Sequence, residues 1–551
     1  MVKMRKIKII SISFLVGVFI LYTGSTLLPS PDIYSKISKG LKLFGQIYKQ
    51  VSTTYVDEID PETFIEAAIK GMLQTLDPYT TYISKENSGD LNILTTGTYG
   101  GVGIKLGIRG DTLTVISPME GTPAGRSGIH AGDKIVKIDS VASFGLKLDD
   151  AANMIRGPEG KEVRLTILRH SFSGPLEFIL KREKIVVNEI LYSGFIKDGI
   201  GYLRLTGFSK SSINKFKDTL LELDDEGLDG LIVDLRDNPG GLLDAAVKIS
   251  DMFIEKGELL VSTKGRIRQM NREHYSKKDP LIDMDVQLIV LVNGGSASAS
   301  EIFSGIMQDL DRGIIVGSKT FGKGLVQTIL SMPYDKKVKI TTGKYYIPSG
   351  RLIQKEDYFA DDKVVKRDFT DSIFVTSNGR PVYGRGGIKP DFLIKYPKSS
   401  NIIPHLWRKN MFYRYSTNWV SKHKDASYPV LLTDIDVKDF IDFLQKSNFT
   451  YKSDVIKTHT NLISALESAN YPDDVINKVK NIKSDFRSFK DDFNDADYKN
   501  IKRVLSREIS EMLGNTKGRY EAIFKNDLAI LKSLELLDDL LLYKQTLGLI
   551  D

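Results

Sequence analysis

Apolar residues recur at helical spacing in the first part of the chain, over residues 31–97. Two sets follow this period: Leu41, Phe44, Ile47, Tyr48 and Val51, then Phe64, Ala68, Met72 and Leu76. Asp60-Pro61 is a start signal for the second helix, and Asp77-Pro78 ends it. The pattern predicts an N-terminal helical segment that serves packing or dimerisation.

Short strands replace the helical period over residues 98–184. Runs typical of strands lie at 112–117, 131–138 and 163–169, and a helical stretch lies at 149–156. A glycine-rich loop precedes the first of these strands. The block is therefore predicted to be a small β-rich module with one helix near each end.

Buried strands and amphipathic helices then alternate over residues 185–396. Apolar runs at 201–205, 231–235, 288–292 and 313–317 are separated by helical patterns, including 242–254 and 299–310. This order predicts an α/β core with a largely parallel sheet. Sites in such cores lie at the carboxyl ends of the strands. The turns at 238–241 and 296–300 both fall there, so we expect them to face one another.

The remaining residues, 397–551, are predicted to form a long helical C-terminal region. It contains a charged run at 478–495 and a final amphipathic piece at 528–542. A helical scaffold or an oligomerisation arm is the first interpretation, and a surface that docks a partner is the alternative. The terminal helices are accordingly the expected contacts of a homo-oligomer.

The first 28 residues have the pattern of an export segment. Lys3, Arg5, Lys6 and Lys8 precede an apolar run over residues 9–28. This pattern is typical of a secretory signal peptide or an uncleaved membrane anchor, with a buried core helix as the alternative. We expect an exported protein of the bacterial periplasm or cell envelope, anchored to the inner membrane if the segment is uncleaved.

Composition limits the chemistry. With 551 residues, 41% of them hydrophobic, the chain can form three or four domains. A net charge of +7 without a basic cluster argues against nucleic acid as a partner. The chain has no cysteine, which excludes disulfides, thiolate nucleophiles and cysteine-ligated zinc.

Three serines occupy the turn between an apolar strand and a helix: Ser296, Ser298 and Ser300. Ser298 directly precedes the helix, so the free N–H of Ala299 lies beside its oxygen. That N–H, with one from Gly240 or Gly241, would form an oxyanion hole. Local physics favours Ser298 as a nucleophile but leaves the other two serines open.

A serine nucleophile needs a base, and no histidine lies in this stretch. His274 is the nearest, in a polar loop, so a Ser-His-Asp triad is the weaker hypothesis. Lys323 follows 25 residues after Ser298. A lysine can act as the base if burial lowers its pKa from about 10.4 toward roughly 7 to 8. Phe321 and Gln327 near it would supply an apolar neighbour and an uncharged hydrogen-bond partner.

The β-rich block resembles a PDZ domain. The resemblance rests on the loop Gly101, Val102, Gly103 and Ile104 and on the stretch GIHAGDKIVKI at 128–138. Successive backbone N–H groups of such a loop can bind a chain-terminal carboxylate, and the adjacent strand edge can pair with a peptide. The resemblance implies protein or peptide partners with free C-termini.

The core is similar to the carboxy-terminal processing peptidases, also called tail-specific proteases. The matching stretches are 234–241, 296–302, 307–309, 316–327 and 346–351. The resemblance implies Ser298 as nucleophile, Lys323 as general base and Gln327 as its orienting partner. It implies backbone oxyanion donors at Ala299 and at Gly240 or Gly241. It also implies a crotonase-like α/β peptidase core and no metal or organic cofactor.

Two features leave alternatives open. A polar insertion at 355–386 departs from the shorter members of the family, and its role is not indicated by its sequence. Ser212 and Lys215 have an S-x-x-K spacing, although a capping serine beside a solvated lysine explains them.

The alternative functions are a catalytically silent PDZ scaffold that binds peptides and a Ser/Lys hydrolase of non-protein amides.

Overall fold

The computed structural model describes residues 31–84, 93, 95–109, 112–130, 132–169, 172, 174–355, 372–451, 454–482 and 493–550. The predicted export segment at 1–28 and half of the polar insertion, residues 356–371, lie outside these residues. None of the described helices combines the length and the apolar composition that a membrane crossing requires. Two compact units are present, divided after Tyr82.

The first unit contains the two helices that the apolar spacing predicts. They are α1 (Pro31–Thr54) and α2 (Pro61–Gln74). Asp60 caps α2, because its carboxylate accepts hydrogen bonds from the N–H groups of Glu62 and Thr63. The rings of Tyr48 and Phe64 stack with their centroids 5.7 Å apart and join the two helices. A short strand, β1 (Thr81–Ile83), follows.

In the second unit, the β-rich block forms one antiparallel sheet with two helices. The sheet order is β3-β4-β5-β7-β8, with β6 paired to β5. The strands and helices are β3 (Ile104–Arg109), β4 (Thr112–Pro118), α3 (Pro123–Arg126), β5 (Lys134–Ile138), β6 (Val141–Ala142), α4 (Leu148–Ile155), β7 (Glu162–Leu168) and β8 (Pro175–Lys181). The fully buried side chains of Val115, Ile135 and Leu165 lie in its core. A separate ribbon of β2 (Thr98–Gly101) and β9 (Glu183–Val186) flanks the block.

The α/β core is built on a six-stranded sheet in the order β10-β11-β12-β15-β16-β21. All neighbours are parallel except β10 and β11, which confirms the largely parallel sheet. The strands are β10 (Ile190–Lys197), β11 (Ile200–Leu205), β12 (Gly230–Asp234), β15 (Gln287–Val292), β16 (Ile314–Gly317) and β21 (Phe392–Leu393).

Helices cover both faces of this sheet. One face packs against α5 (Lys210–Asp225), α6 (Leu243–Ser250) and α7 (Ala299–Asp309). The other face packs against side chains of the C-terminal region, including Tyr520, Phe524 and Ile530. The last helices of the chain therefore complete the α/β core, which the scaffold or arm interpretation of that region did not anticipate.

A second, antiparallel sheet borders the core and contains the order β17-β18-β13-β14. Its strands are β13 (Leu259–Gly265), β14 (Arg272–Tyr275), β17 (Leu325–Ser331) and β18 (Lys337–Tyr346). In the β17-β18 hairpin, Leu325 pairs with Lys344 and Gln327 pairs with Thr341. This hairpin carries the segment after Lys323 back along the α/β core.

The C-terminal region is helical, as predicted. Its elements are α8 (Ile402–Arg408), α9 (Met411–Lys422), α10 (Asp434–Lys446), α11 (Asp454–Ser468), α12 (Asp473–Asn481), α13 (Asp495–Asn526), α14 (Leu528–Asp538) and α15 (Leu540–Thr546). Helices α8 to α10 and the first half of α13 have their own core around Phe412, Phe440 and Leu505.

The described end of the polar insertion forms the hairpin β19 (Ile373–Val375) and β20 (Pro381–Tyr383). Asn378, in the hairpin turn, donates from its side chain to the Leu547 carbonyl over 2.7 Å. Its backbone N–H donates to the carboxylate of Asp311. The turn thus joins the α/β core to the end of the chain.

Candidate active site

Ser298 stands at the N-terminus of α7 in a strained backbone conformation. Its φ of 54° and ψ of −112° lie in a region that residues with a side chain rarely adopt. The backbone N–H of Ser298 donates to Oε2 of Glu301 over 2.8 Å, and this bond holds the turn. The side chain of Ser298 is half-buried, so its hydroxyl is accessible at the start of the helix.

The other two serines of the turn are buried and engaged. The Ser296 hydroxyl donates to the Leu235 carbonyl over 2.8 Å and accepts from the Asn293 N–H over 3.0 Å. The Ser300 hydroxyl donates to the Asn238 carbonyl over 2.9 Å. Both serines fasten the turn to the loop after β12. Of the three candidates, Ser298 is the serine that lines a cavity.

A cavity of about 300 Å³ collects the predicted catalytic side chains. Ser298, Lys323 and Gln327 line it together with Gly240 and Gly241. The rest of its lining is mostly apolar or uncharged: Thr95, Pro239, Leu242, Leu243, Ile302, Leu325, Val326, Ile329, Lys339 and Tyr345. The expected facing of the two turns at the carboxyl ends of β12 and β15 is therefore present.

The glycine pair lies against the serine turn at a distance that excludes a side chain. A Cβ on Gly240, whose φ is +98°, would come within 2.5 Å of the Ala297 carbonyl oxygen and 2.8 Å of the Ala299 nitrogen. The Gly240 N–H donates to Oδ1 of Asn238 over 2.9 Å. Within the described part of the chain, the N–H groups of Ala299 and Gly241 donate to no acceptor. The geometry therefore favours Ala299 and Gly241 as the pair of free donors beside Ser298.

Lys323 is held at its backbone from both sides. Its N–H donates to Oε2 of Glu301 over 2.9 Å, and its carbonyl accepts from the Tyr345 hydroxyl over 2.6 Å. The same hydroxyl lies 3.2 Å from the carbonyl oxygen of Ser298. Tyr345 and Glu301 thus fix the serine turn and the lysine loop relative to each other. The lysine side chain is half-buried.

Gln327 lies in β17 and lines the same cavity. Its Nε2 is buried, and no described residue offers it a hydrogen-bond acceptor. A buried amide donor without a protein acceptor is costly unless a ligand uses it. The position agrees with the predicted role of a residue beside Lys323.

Glu301, like Tyr345, is a residue of this site to which the sequence analysis gave no role. Its buried carboxylate accepts four hydrogen bonds: from Ser298 N, Lys323 N, Gly322 N and the Thr320 hydroxyl. Burial raises the pKa of Glu301 to about 7, against the lowering effect of these bonds. Glu301 lies three residues after Ser298, the N-cap of α7, and this capping-box spacing is the signal that could have identified it.

In the PDZ block, a cavity of about 260 Å³ adjoins the predicted carboxylate-binding loop. Val102, Gly103 and Ile104 line it, and residues of α4 form its other wall. Gly101 does not line it and pairs with Glu183 of β9. Gly103 has a φ of +76° and lies against Thr122, which leaves no space for a side chain. Three of the four predicted loop residues therefore share this groove.

The competing residues lie elsewhere. His274 is on β14 and lines a different cavity, and no described histidine lines the cavity of Ser298. Ser212 is buried in the first turn of α5, where its hydroxyl accepts from the Ser209 N–H over 3.1 Å, and Lys215 is exposed. The S-x-x-K spacing at this helix is thus a capping arrangement.

Comparison with known families matches four parts of the chain. Residues 199–365 match the model of peptidase family S41, and residues 114–169 match the PDZ domain. Residues 402–537 match the model described as "Probable PDZ-protease, C-terminal helical domain", and residues 27–87 match "Activating protease CtpB N-terminal domain".

Curated relatives match the greater part of the chain. A carboxy-terminal-processing protease of Bartonella bacilliformis is 41% identical over 320 residues, which are 57% of this chain and 73% of that protein. A protein named "Probable CtpA-like serine protease" of Staphylococcus aureus is 34% identical over 405 residues, 72% of this chain and 74% of that protein. Among solved structures, a photosystem II D1 C-terminal processing protease is 26% identical, with a TM-score of 0.35 and coverage of 64% of this chain and 94% of that one.

Proposed function

The chain belongs to the carboxy-terminal-processing proteases of peptidase family S41, serine peptidases with a PDZ domain, and from this membership we propose a mechanism, a mode of substrate selection and a location. In this proposal, Ser298 cleaves protein substrates through an acyl-enzyme, with Lys323 as the base. The observation that supports it best is the single cavity shared by Ser298, Lys323, Gln327 and Gly241.

The chemical steps follow from the positions of these groups. Neutral Lys323 takes the proton of the Ser298 hydroxyl while the serine oxygen attacks the scissile carbonyl carbon. The oxyanion that forms accepts hydrogen bonds from the N–H groups of Ala299 and Gly241. The lysine then gives its proton to the leaving amine, and an acyl-enzyme remains. Water attacks the ester with Lys323 again as base, and Ser298 is released.

The remaining cavity residues have positioning roles in this scheme. Gln327 orients the Lys323 amine without adding a charge that would favour its protonated form. Glu301 and Tyr345 hold the backbone of the two loops that carry serine and lysine. The strain at Ser298 is maintained by these bonds, which is the arrangement expected of a preorganised nucleophile.

Substrate selection is assigned to the PDZ groove. Val102, Gly103 and Ile104 present backbone groups at a cavity that an extended peptide end can enter. We assign the free C-terminal carboxylate of a substrate protein to this loop. The site of action in this proposal is the bacterial periplasm or cell envelope, with residues 1–28 as export signal or inner-membrane anchor.

One experiment tests both parts. A denatured protein with a free C-terminal carboxylate and the same protein with a C-terminal amide are incubated with wild type, Ser298→Ala and the control Ser331→Ala. Ser331 is exposed at the end of β17. We expect Ser331→Ala to retain activity and Ser298→Ala to lose kcat/KM by about 10⁴-fold or more. The amide should lower wild-type kcat/KM by about tenfold or more.

Each other outcome supports a different function. Absence of cleavage by wild type would leave a peptide-binding scaffold, and cleavage of small amides but not of the protein would indicate a non-protein hydrolase. Equal rates on carboxylate and amide would contradict carboxylate capture by the PDZ loop while leaving the catalytic assignment intact.

A further inference from the structure

A second cavity, of about 390 Å³, lies between the α/β core and the long helix α13. Side chains from the carboxyl ends of β11, β12 and β15 form one wall, and side chains of α13 form the other. The lining is rich in arginine, with five guanidinium groups against three carboxylates: Arg204, Arg236, Arg503, Arg507 and Arg519 against Asp234, Asp237 and Asp527. We call it the arginine cavity.

The two arginines of the core are committed to carboxylates. Arg204 and Arg236 both pair with Asp234, the latter over 2.7 Å, and Arg236 also contacts Asp527 over 2.8 Å. Burial raises the pKa of Asp234, but the charges of Arg236 and Arg204 outweigh this effect and lower the pKa to about 2. Asp237 has Arg204 as its ionic neighbour at 3.9 Å. The three carboxylates of the arginine cavity are thus paired with the two arginines of the α/β core.

The three arginines of α13 are less completely neutralised. Arg503 forms no ion pair within the described part of the chain and lies over the Tyr396 ring, with its Cζ 5.6 Å from the centroid. Arg507 has one ion pair, at 3.4 Å, with its neighbour Glu508, and its Cζ lies 5.7 Å from the centroid of the Trp407 ring. The Nε of Arg507 is buried, and no described residue accepts a hydrogen bond from it. Positive charge is therefore in excess on this wall.

Arg519 is paired with Glu511 over 2.9 Å, so the excess positive charge of this wall comes from Arg503. Burial lowers the pKa of Arg507, and the charge of Arg519 lowers it further. Like charges held together in a partly buried space are unfavourable unless an anion joins them. The ligand that the arginine cavity fits is therefore anionic.

We propose that the arginine cavity binds a small dianion of the phosphate type, either the inorganic ion or a phosphate monoester. A tetrahedral group has enough acceptor oxygens for the three guanidinium groups of α13, whereas a monocarboxylate can satisfy one fork. Asn500 of the same helix and Asn293 after β15 also line the cavity. Their amides already donate once each, to Ser399 Oγ and Asp237 Oδ1, and each has a second N–H. The volume leaves space for a small organic group beside the phosphate.

The site is distinct from the catalytic cavity but is built on the same two loops. Asn293 and Asp237 are joined by two hydrogen bonds, from Asp237 N to Asn293 Oδ1 over 2.8 Å and from Asn293 Nδ2 to Asp237 Oδ1 over 2.9 Å. Asp237 precedes the Gly240-Gly241 turn, and Asn293 begins the serine turn. A bound dianion would therefore lie against the bases of both catalytic loops.

Isothermal titration of the full chain tests the proposal, with inorganic phosphate, glycerol phosphate and acetate as probes at constant ionic strength. We expect saturable binding of both phosphates and at least about tenfold weaker binding of acetate. Arg503→Gln and Arg507→Gln should each raise the Kd for phosphate by about tenfold or more. Lys517→Gln removes the same charge from an exposed position of α13 and should change the Kd by less than about twofold.

The two phosphate probes separate the sources of the ligand. Tighter binding of glycerol phosphate identifies a phosphorylated small molecule, and equal binding identifies the inorganic ion. Absence of saturable binding up to about 10 mM phosphate, or Kd values unchanged in both arginine variants, overturns the proposal. Arg503 forms no ion pair in the described structure, so Arg503→Gln decides the question if Arg507→Gln fails to fold by circular dichroism.

Discussion

Two cavities share the loops at the carboxyl ends of β12 and β15, and they differ in the number of charged side chains that line them. The cavity of Ser298 presents a hydroxyl, an amine and backbone N–H groups among apolar side chains, and the one buried carboxylate beside it is surrounded by donors. The arginine cavity presents fixed charges and pairs most of them.

The difference shows how one pair of loops can support two kinds of binding. Near Ser298 the backbone supplies the donors, so that developing negative charge meets preorganised N–H groups without a competing ion. On the arginine side, permanent charges from a distant helix do the binding. Changes in the glycine turn should therefore affect the Ser298 cavity strongly and the arginine cavity, whose proposed donors lie mainly on α13, only weakly.

The largest effect within this comparison is expected from Gly240→Ala. A Cβ at this position would meet the Ala297 carbonyl oxygen at 2.5 Å and displace the glycine turn from the serine turn. We expect kcat/KM to fall by about 10²- to 10³-fold, the cost of losing one oxyanion donor. A peptide-cleavage assay measures this fall in kcat/KM. Phosphate titration of the same variant should show a Kd that changes by no more than about twofold.

Gly257→Ala is the matched control for this substitution. Gly257 also has a positive φ, +100°, but a Cβ there meets nothing within 4 Å. It therefore carries the same backbone strain without the clash, and its catalytic rate should stay near that of wild type. Near-normal cleavage by Gly240→Ala would refute the close packing of the two turns as a requirement of the site.

A smaller effect, on stability, is expected from Glu301. Burial raises the pKa of this carboxyl from 4.5 to about 7, so the folded state binds its proton more tightly than the unfolded state does. Its contribution to the free energy of unfolding is complete below pH 4.5 and is lost as the pH rises through 7. The loss amounts to about 3 kcal/mol.

Urea unfolding of wild type and Glu301→Gln across this pH range measures the effect. The variant should lack this part of the pH dependence, while Glu222→Gln, a change at an exposed position of α5, should keep the wild-type profile. Parallel profiles for wild type and Glu301→Gln would show that the carboxyl does not titrate in this range. The phosphate affinity of the arginine cavity should not differ between these proteins.

Much of the Ser298 cavity could be predicted from sequence because its parts are local. Apolar runs marked the parallel strands, and the turns after them had to lie at one edge of the sheet. The facing of the serine turn and the glycine pair at 240–241 follows from that placement, whereas the roles of Ser298 and Lys323 rest on the resemblance to the carboxy-terminal processing peptidases. The structure adds that the hydroxyls of Ser296 and Ser300 are buried and engaged in hydrogen bonds.

The parts that escaped prediction depend on contacts between distant segments. Tyr345 joins the serine and lysine loops from β18, and nothing in its local sequence marks that role. The C-terminal helices were predicted as helices, but their packing on the second face of the sheet was not. The arginine cavity needs both α13 and the strand ends, so no single motif could indicate it.

The PDZ block gives an intermediate case. Its fold could be predicted from one glycine-rich loop and one strand, and the loop does line a groove. The pairing of Gly101 with Glu183 could not be predicted, because β9 follows the whole block. The signal or anchor at residues 1–28 stays a prediction.

The central claim, that Ser298 is a nucleophile activated by Lys323, is tested most directly by covalent labelling. Wild type and the variants Lys323→Met and Lys319→Met are treated with a fluorophosphonate, and mass spectrometry locates the adduct. Lys319 is exposed four residues before the proposed base and serves as the control. The account predicts one adduct, on Ser298, in wild type and Lys319→Met, and a labelling rate lower by about 10³-fold in Lys323→Met. An adduct on Ser296 or Ser300, or undiminished labelling of Ser298 in Lys323→Met, would contradict it.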